Sequence, residues 1–195
     1  MKKITLAVIE GTTRKDRKSI RAARYITRLA SEHEVIEAVL VDPREYTFPF
    51  DGEDKAVKDP AYTKVTQDAD AFFIVVPEYN HSFPGSLKRM LDSELKNYIH
   101  KPVALAGVSS GNWGGVRAIE ALVPVVRELG MVCTFTDVQF PKITSIFDEA
   151  GHLLDASYEK RVRRALTELV WMAQALKYGR ENLPSKYHKK TNFLL

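Results

Sequence analysis

Three short segments concentrate the residues able to do chemistry, and each begins where an apolar run ends. The first is Gly11-Thr12-Thr13-Arg14-Lys15-Asp16-Arg17-Lys18-Ser19, which follows Ile4 to Ile9 and Glu10. Hydroxyls, open backbone N–H groups and the start of a helix suit a dianionic phosphate, and Arg14 or Arg17 can add a bidentate fork. A solvated basic loop capping a helix would have the same composition. The segment is not a P-loop, because the second glycine of that pattern would fall at Asp16 and Lys18-Ser19 comes one residue late. Nor does it contain G-x-G-x-x-G, which disfavours a dinucleotide site of the Rossmann kind.

The second segment runs Pro77-Glu78-Tyr79-Asn80-His81-Ser82-Phe83-Pro84-Gly85-Ser86-Leu87-Lys88. Two prolines stiffen it, and Tyr79 and Phe83 are large aromatics where ordinary turns are polar. Such a platform suits a planar ligand, with backbone groups and the Asn80 amide able to meet a donor and acceptor edge. The alternative is that both rings only anchor the loop on the core. The third segment, Ser109-Ser110-Gly111-Asn112-Trp113-Gly114-Gly115, has three glycines in seven residues. Glycine lets backbone approach a ligand closely and reach positive φ, and Trp113 either borders the pocket or pins the loop.

These segments need elements that bring them together. Short apolar, β-branched runs at Ile4 to Ile9, Glu34 to Val41, Ala71 to Val76, Pro102 to Val108 and Met131 to Val138 alternate with helical patterns. That arrangement predicts an α/β fold, a five-stranded parallel sheet with helices on both faces. Helices are expected over Ser19 to Ala30, Pro84 to Leu95 with Ser82 as a plausible cap, Gly115 to Leu129, and Ser157 to Tyr178 with Gly179 as its stop. Between Asp42 and Thr66 the prolines allow only loop and a short helix near Ala61 to Gln67. Ligands of such a sheet bind beyond the carboxyl ends of the strands, where the strand order reverses, which is where all three segments would lie.

Composition bounds the rest. A chain of 195 residues, 45% apolar and 28% charged, is an ordinary globular one of single-domain size. Residues 1–178 read as that domain and 179–195 as a basic tail, expected to pack on a neighbouring subunit or to be partly mobile. The lone Cys133 excludes an intramolecular disulfide and is expected to be buried and inert, which fits a cytoplasmic protein. The five histidines have no metal-ligand spacing, so no metal site is expected; His81 alone stands where it could touch substrate. The first apolar run ends at Glu10 and reads as a buried strand rather than a signal peptide, and no run is long enough to span a membrane.

The net charge of +4 is uneven. Residues 1 to 34 carry nine basic and four acidic side chains and residues 177 to 195 five and one, so the middle is acidic by five. No zinc-finger spacing, RNA-binding signature or long basic run accompanies the basic ends, so no nucleic-acid partner is expected. A localised phosphate site explains the first cluster.

In order and spacing over roughly residues 3 to 175, three motifs resemble the NADPH-dependent FMN reductase family of quinone, chromate and azo-dye reductases. They are Gly11-Thr12-Thr13-Arg14 with Ser19, Pro77-Glu78-Tyr79-Asn80-x-Ser82-x-Pro84-Gly85-x-Leu87-Lys88-x-x-x-Asp92, and Ser109-x-Gly111-x-x-Gly114-Gly115-x-Arg117. The resemblance implies a flavodoxin-like fold of strand order 2-1-3-4-5, with FMN as cofactor and NADPH or NADH as reductant. It implies that Thr12, Arg14, Ser19 and Ile20 hold the FMN phosphate. Pro77, Glu78, Tyr79 and Asn80 would contact the isoalloxazine, with Ser109, Gly111 and Gly114 near its other edge.

The implied activity is hydride transfer through flavin N5 to a quinone, azo compound, metal oxyanion or free flavin, in a homodimer or homotetramer. No catalytic side chain is required, since the flavin carries the chemistry. The rivals are a flavodoxin-type electron carrier and a flavin-binding regulatory module without turnover. Glu10 departs from the pattern, since the family usually has a small or apolar residue there, and so does the extended basic tail.

Overall fold

The computed structural model describes residues 3–48 and 58–188. Of the stretch expected as loop between Asp42 and Thr66 and of the basic tail, residues 49–57 and 189–195 lie outside the described residues. Strands β1 (Ile4–Glu10), β2 (Ile36–Val41), β3 (Ala71–Pro77), β4 (Pro102–Val108), β5 (Val132–Cys133) and β6 (Val138–Phe140) form one parallel sheet. Its order is β2-β1-β3-β4-β5, with β6 also on β4. The helices are α1 (Ser19–Ser31), α2 (Pro60–Asp68), α3 (Gly85–Asp92), α4 (Val116–Glu128), α5 (Ile143–Ile146) and α6 (Ser157–Asn182).

Strands β3 and β4 are buried along their whole length, which is why they read as continuous apolar runs instead of alternating ones. Their side chains still alternate between two cores. Phe73 and Val75 face the layer that holds Ile26 of α1 and Leu166 and Leu169 of α6. Phe72 and Ile74 face the layer that holds Met90 of α3 and Leu122 of α4. Gly107 lets the glycine loop settle on the sheet, since a Cβ there would collide with the Gly114 and Gly115 carbonyls.

Four local expectations are corrected. The single strand expected from Met131 to Val138 is split. Pairing runs from Val103 with Cys133 to Ala106 with Val138, so two extra residues are looped out of β4's partner. Phe135 in that bulge is 80% exposed, and its N–H donates to Glu168 Oε1 of α6. Next, α6 passes through Gly179 to Asn182, because Arg180 is bound to Asp70 and to the His100 carbonyl and tertiary contacts outweigh a glycine's tendency to end a helix. Ser82 does not cap α3: Pro84 is the N-cap, and Ser82 pairs instead with Tyr79. Finally, Cys133 is half-buried, with its thiol pushed above the usual range by burial and by nearby Asp137.

Candidate active site

The carboxyl ends of β1, β3 and β4 are adjacent, and the strand order reverses between β1 and β3. The ladder continues past the strands: Gly11 N–H donates to the Val75 carbonyl at 2.8 Å and Glu78 N–H to the Val108 carbonyl at 3.0 Å. Ser109 N–H donates to the Phe140 carbonyl at 3.1 Å. Each candidate loop thus starts from a fixed position. A Cβ on Gly11 would stand 2.7 Å from the Val75 oxygen, so glycine is what allows the first loop to leave the sheet so close to β3.

Between the loops lies a cleft of about 200 Å³ lined by Arg14, Arg17, Ser19, Pro77, Tyr79 and Ser109, among others. Of the residues singled out in the sequence, Arg14, Ser19, Pro77, Tyr79 and Ser109 meet there. Thr12, Ile20, Glu78, Asn80, Gly111 and Gly114 sit in the same loops and do not line it. The cleft also gains Ile143 of α5, which the sequence reading missed. Ile143 is placed by its N–H bond to the Ser109 carbonyl, a contact 34 residues away in the chain with no local signal.

The first loop fits a phosphate. Helix α1 has no side chain capping its N-terminus; the Arg21 N–H is taken by the Lys18 carbonyl at 3.1 Å, which leaves the Ser19 and Ile20 N–H groups without a capping acceptor beside Arg14 and Lys18. Thr12 is buried, and its Oγ1 accepts the Arg14 N–H. The Arg17 guanidinium is engaged elsewhere: it pairs with Asp42 after β2 and lies 3.9 Å from Glu10 Oε1. Glu10 is fully buried, its Oε1 is in hydrogen-bond contact with the Ser19 hydroxyl, and its Oε2 has no hydrogen-bond partner among the described residues. Burial pushes its carboxyl up to about 8, with Ser19 and Arg17 opposing and Asp42 adding to the rise.

The second loop is a tight two-residue hairpin. Tyr79 and Ser82 exchange backbone hydrogen bonds at 2.8 and 3.0 Å around Asn80 and His81, whose φ angles of 49° and 65° are both left-handed. That is the backbone of a type I′ turn, which favours Asn first and Gly second. Asn80 therefore has a conformational role, and His81 stands in a glycine's place. Tyr79's side chain reaches the phosphate loop: its hydroxyl is 3.1 Å from Thr12 Oγ1, and the Arg14 guanidinium lies 5.9 Å from its ring centroid.

Behind the hairpin, Arg117 of α4 donates through Nε to Glu78 Oε1 at 2.7 Å, and its Nη1 lies 2.8 Å from His81 Nε2. The Glu78 carboxylate is nearly buried, so this ion pair fixes the platform from beneath. In the third loop Ser109 Oγ accepts the Gly114 N–H and donates to the Gly111 carbonyl, both at 2.9 Å. Trp113 is 66% exposed and lies over Arg117, outside the cleft lining.

The sequence profile of NADPH-dependent FMN reductases matches residues 4–144, a stretch that contains all three loops. The chain belongs to that family. This FMN reductase is 31% identical over 166 residues to a quinone reductase of Pseudomonas putida, covering 77% of this chain and 85% of the other. It is also 31% identical over 122 residues to an NADPH azoreductase of Bacillus sp. strain OY1-2, covering 60% and 65%. Its fold is shared with the flavoenzyme NAD(P)H:acceptor oxidoreductase FerB of Paracoccus denitrificans. That match has a TM-score of 0.68 at 21% identity and covers 89% of this chain and 97% of that one. An archaeal flavodoxin superposes with a TM-score of 0.57 at 14% identity, covering 89% and 99%. The protein is therefore a flavodoxin-like, FMN-dependent NAD(P)H oxidoreductase.

Proposed function

We propose that the cleft holds FMN with its phosphate on Thr12, Arg14, Ser19, the Ile20 backbone and the open first turn of α1. Its ring lies between the Pro77-Glu78-Tyr79-Asn80 hairpin and the Ser109, Gly111 and Gly114 loop. The acceptor is a small planar quinone or azo compound, as the names of the quinone reductase and azoreductase relatives suggest, or a metal oxyanion or free flavin. The observation that carries this reading is the convergence of an uncapped, basic helix start with two rigid loops at one strand-order reversal.

Bound FMN supplies the means of carrying an electron pair from NAD(P)H to the acceptor. The protein's part is to bind and orient. The loop cations and N–H groups hold the phosphate, and the Glu78–Arg117 pair keeps the hairpin rigid. The exposed Ser110, Gly111 and Asn112 leave the mouth of the cleft open to planar molecules. Donor and acceptor that share this mouth must alternate.

The purified chain is expected to be yellow, to release flavin on denaturation and to oxidise NADPH with ping-pong kinetics when a quinone is added. A colourless chain that does not take up FMN refutes the proposal, and FMN binding without turnover identifies a carrier or a regulatory module.

The same reading makes residues 1–178 the flavin-binding domain and the protein a cytoplasmic homodimer or homotetramer. Support for pairing comes from an apolar groove of about 650 Å³ on the far side of the α3 and α4 layer, walled by Leu95, Ile99, Val125 and Tyr187. Light scattering of the purified protein tests the assembly. No helix among the described residues is long and apolar enough to cross a membrane.

A further inference from the structure

Two carboxyl groups, Glu10 at the end of β1 and Asp42 just after β2, share one cation beneath the phosphate loop. Arg17 is the shared group: it forms a direct ion pair with Asp42 and stands 3.9 Å from Glu10 Oε1. Glu10 has no exposed surface, and its Oε2 has no partner among the described residues. One guanidinium balances one charge, and the closer carboxylate takes it. A buried carboxyl left without a counter-charge keeps a proton rather than ionise, and an unpartnered neutral oxygen is far cheaper to bury than a charged one. Arg17 and Asp42 are the charged groups that face Glu10, and burial outweighs both.

The contact that transmits this state is Ser19, the first residue of α1. Its Oγ is in hydrogen-bond contact with Glu10 Oε1 at 2.5 Å, and Ser19 also lines the cleft. A hydroxyl has one hydrogen and two acceptor positions. Facing a carboxylate, Ser19 must spend that hydrogen on Glu10 and presents only lone pairs to an incoming anion. Facing a carboxylic acid, it can accept from Glu10 and has its own hydrogen left to give.

We propose that Glu10 carries a proton that it donates to Ser19 Oγ, freeing the Ser19 hydroxyl as a donor to the FMN phosphate, so that cofactor capture through the phosphate is coupled to one proton on Glu10. The inference rests on the placement of the phosphate argued above. Glu10 acts through Ser19 and is a positioning residue. Glu10 thereby becomes a pH-dependent grip on the cofactor. The dianionic phosphate further disfavours ionisation of Glu10, so affinity holds while Glu10 is protonated in the free protein and falls once binding must take up a proton.

The test is a fluorescence titration of the flavin-free chain with FMN and with riboflavin from pH 7 to 9.5, in wild type and Glu10→Gln. The Gln amide can donate to Ser19 Oγ at every pH and cannot ionise. For the wild type, the FMN dissociation constant should be steady to about pH 7.5 and weaken about tenfold by pH 9.5, the limit for one linked proton being tenfold per pH unit. Riboflavin, which lacks the phosphate, should show no such fall, and neither should FMN with Glu10→Gln. Calorimetry of wild type with FMN at pH 8.5, in buffers of different ionisation enthalpy, should show uptake of roughly half a proton or more, and riboflavin none. This second measurement stands even if the variant does not fold. An equal slope for both flavins, an unchanged slope in Glu10→Gln, or zero proton uptake overturns the proposal while leaving the FMN site intact. Failure of the wild type to bind FMN at any pH removes the site itself.

Discussion

The hydroxyl of Tyr79 stands 3.1 Å from Thr12 Oγ1, so the hairpin after β3 and the loop after β1 are joined by a direct hydrogen bond. The ring of Tyr79 also carries the Arg14 guanidinium 5.9 Å from its centroid. Two loops that are 67 residues apart in the chain are thereby held as one wall. Tyr79→Phe should keep the ring contact, lose the hydrogen bond and weaken FMN binding by about 0.5–1.5 kcal/mol. Tyr79→Ala should cost more, since Arg14 then loses its support as well. Flavin fluorescence titration reads both, and equal affinities in the two variants would show that the hydroxyl contributes nothing.

Arg14 and Arg17 offer the same chemistry in the sequence but different roles in the fold. Arg17 is held by Asp42, whereas Arg14 makes no ion pair among the described residues and borders the cleft. Arg14→Ala should weaken FMN binding by about 1.5–3 kcal/mol and leave riboflavin binding and thermal stability unchanged. Arg17→Ala should instead lower the melting temperature, because it leaves the nearly buried Asp42 carboxylate without its counter-charge. A calorimetric scan beside the two titrations separates them. The assignment of Arg14 to the phosphate fails if its removal leaves FMN affinity intact.

The contrast shows what a linear reading can reach. The strands and the three loops were legible because β1, β3 and β4 are buried and end at abrupt changes in composition, whereas the sheet order was implied only by the resemblance of the three motifs to a family. The glycine loop was legible for a similar reason, since Gly114 and Gly115 have φ of 60° and 78° that other residues rarely adopt. What escaped depends on partners far along the chain. The two-residue bulge between β5 and β6 is set by pairing with β4, and the passage of α6 through Gly179 by Arg180 meeting Asp70. Arg17's choice of Asp42 and Tyr79's turn towards Thr12 are likewise contacts across the strand order. Periodicity contains nothing of them.

Beneath the hairpin, Glu78 depends on a single arginine. Its side chain is 7% exposed, Oε1 receives Arg117, and Oε2 has no partner among the described residues. Arg117→Ala should therefore destabilise the hairpin by about 1–3 kcal/mol and reduce the flavin retained on purification. Arg117→Lys should recover only part of this, because an ammonium cannot reproduce two nitrogens on one carboxylate oxygen. The double variant Arg117→Ala with Glu78→Gln should be more stable than Arg117→Ala alone, since it removes the stranded charge. Absence of that recovery would mean that Arg117 acts on the site by some route other than Glu78.

At the opposite end of the sheet, Asp70 gathers the Thr5 N–H, Lys177 and Arg180 around one nearly buried carboxylate. Asp70→Ala should lower stability by about 3 kcal/mol, because two cations of α6 lose their anchor together. FMN affinity should not change, because the cluster lies at the start of β3 and the cleft at its end. Urea denaturation and flavin titration on the same variant test both halves of the statement. Loss of flavin binding in a variant that remains folded would contradict it.

Glu10 makes a separate prediction about the flavin-free protein. Its carboxyl has an ordinary value of 4.5 in an unfolded chain and about 8 in the fold, so between these limits the native state binds more protons than the unfolded one. Stability must then fall as pH rises through that window, the reverse of the usual behaviour of a salt-bridged carboxylate. The contribution is complete below about pH 4.5, is lost by about pH 8 and is about 5 kcal/mol at most. Asp137, raised to about 6 by burial and by Glu120 and Glu168, acts in the same direction over a lower range, so wild type alone does not isolate Glu10. The difference between wild type and Glu10→Gln does, because Asp137 is common to both. That difference should shift in favour of the variant from pH 5 to 8 and level off above, as read from urea midpoints at half-unit steps. A flat difference would mean that Glu10 is already ionised in the fold, with Arg17 serving both carboxylates.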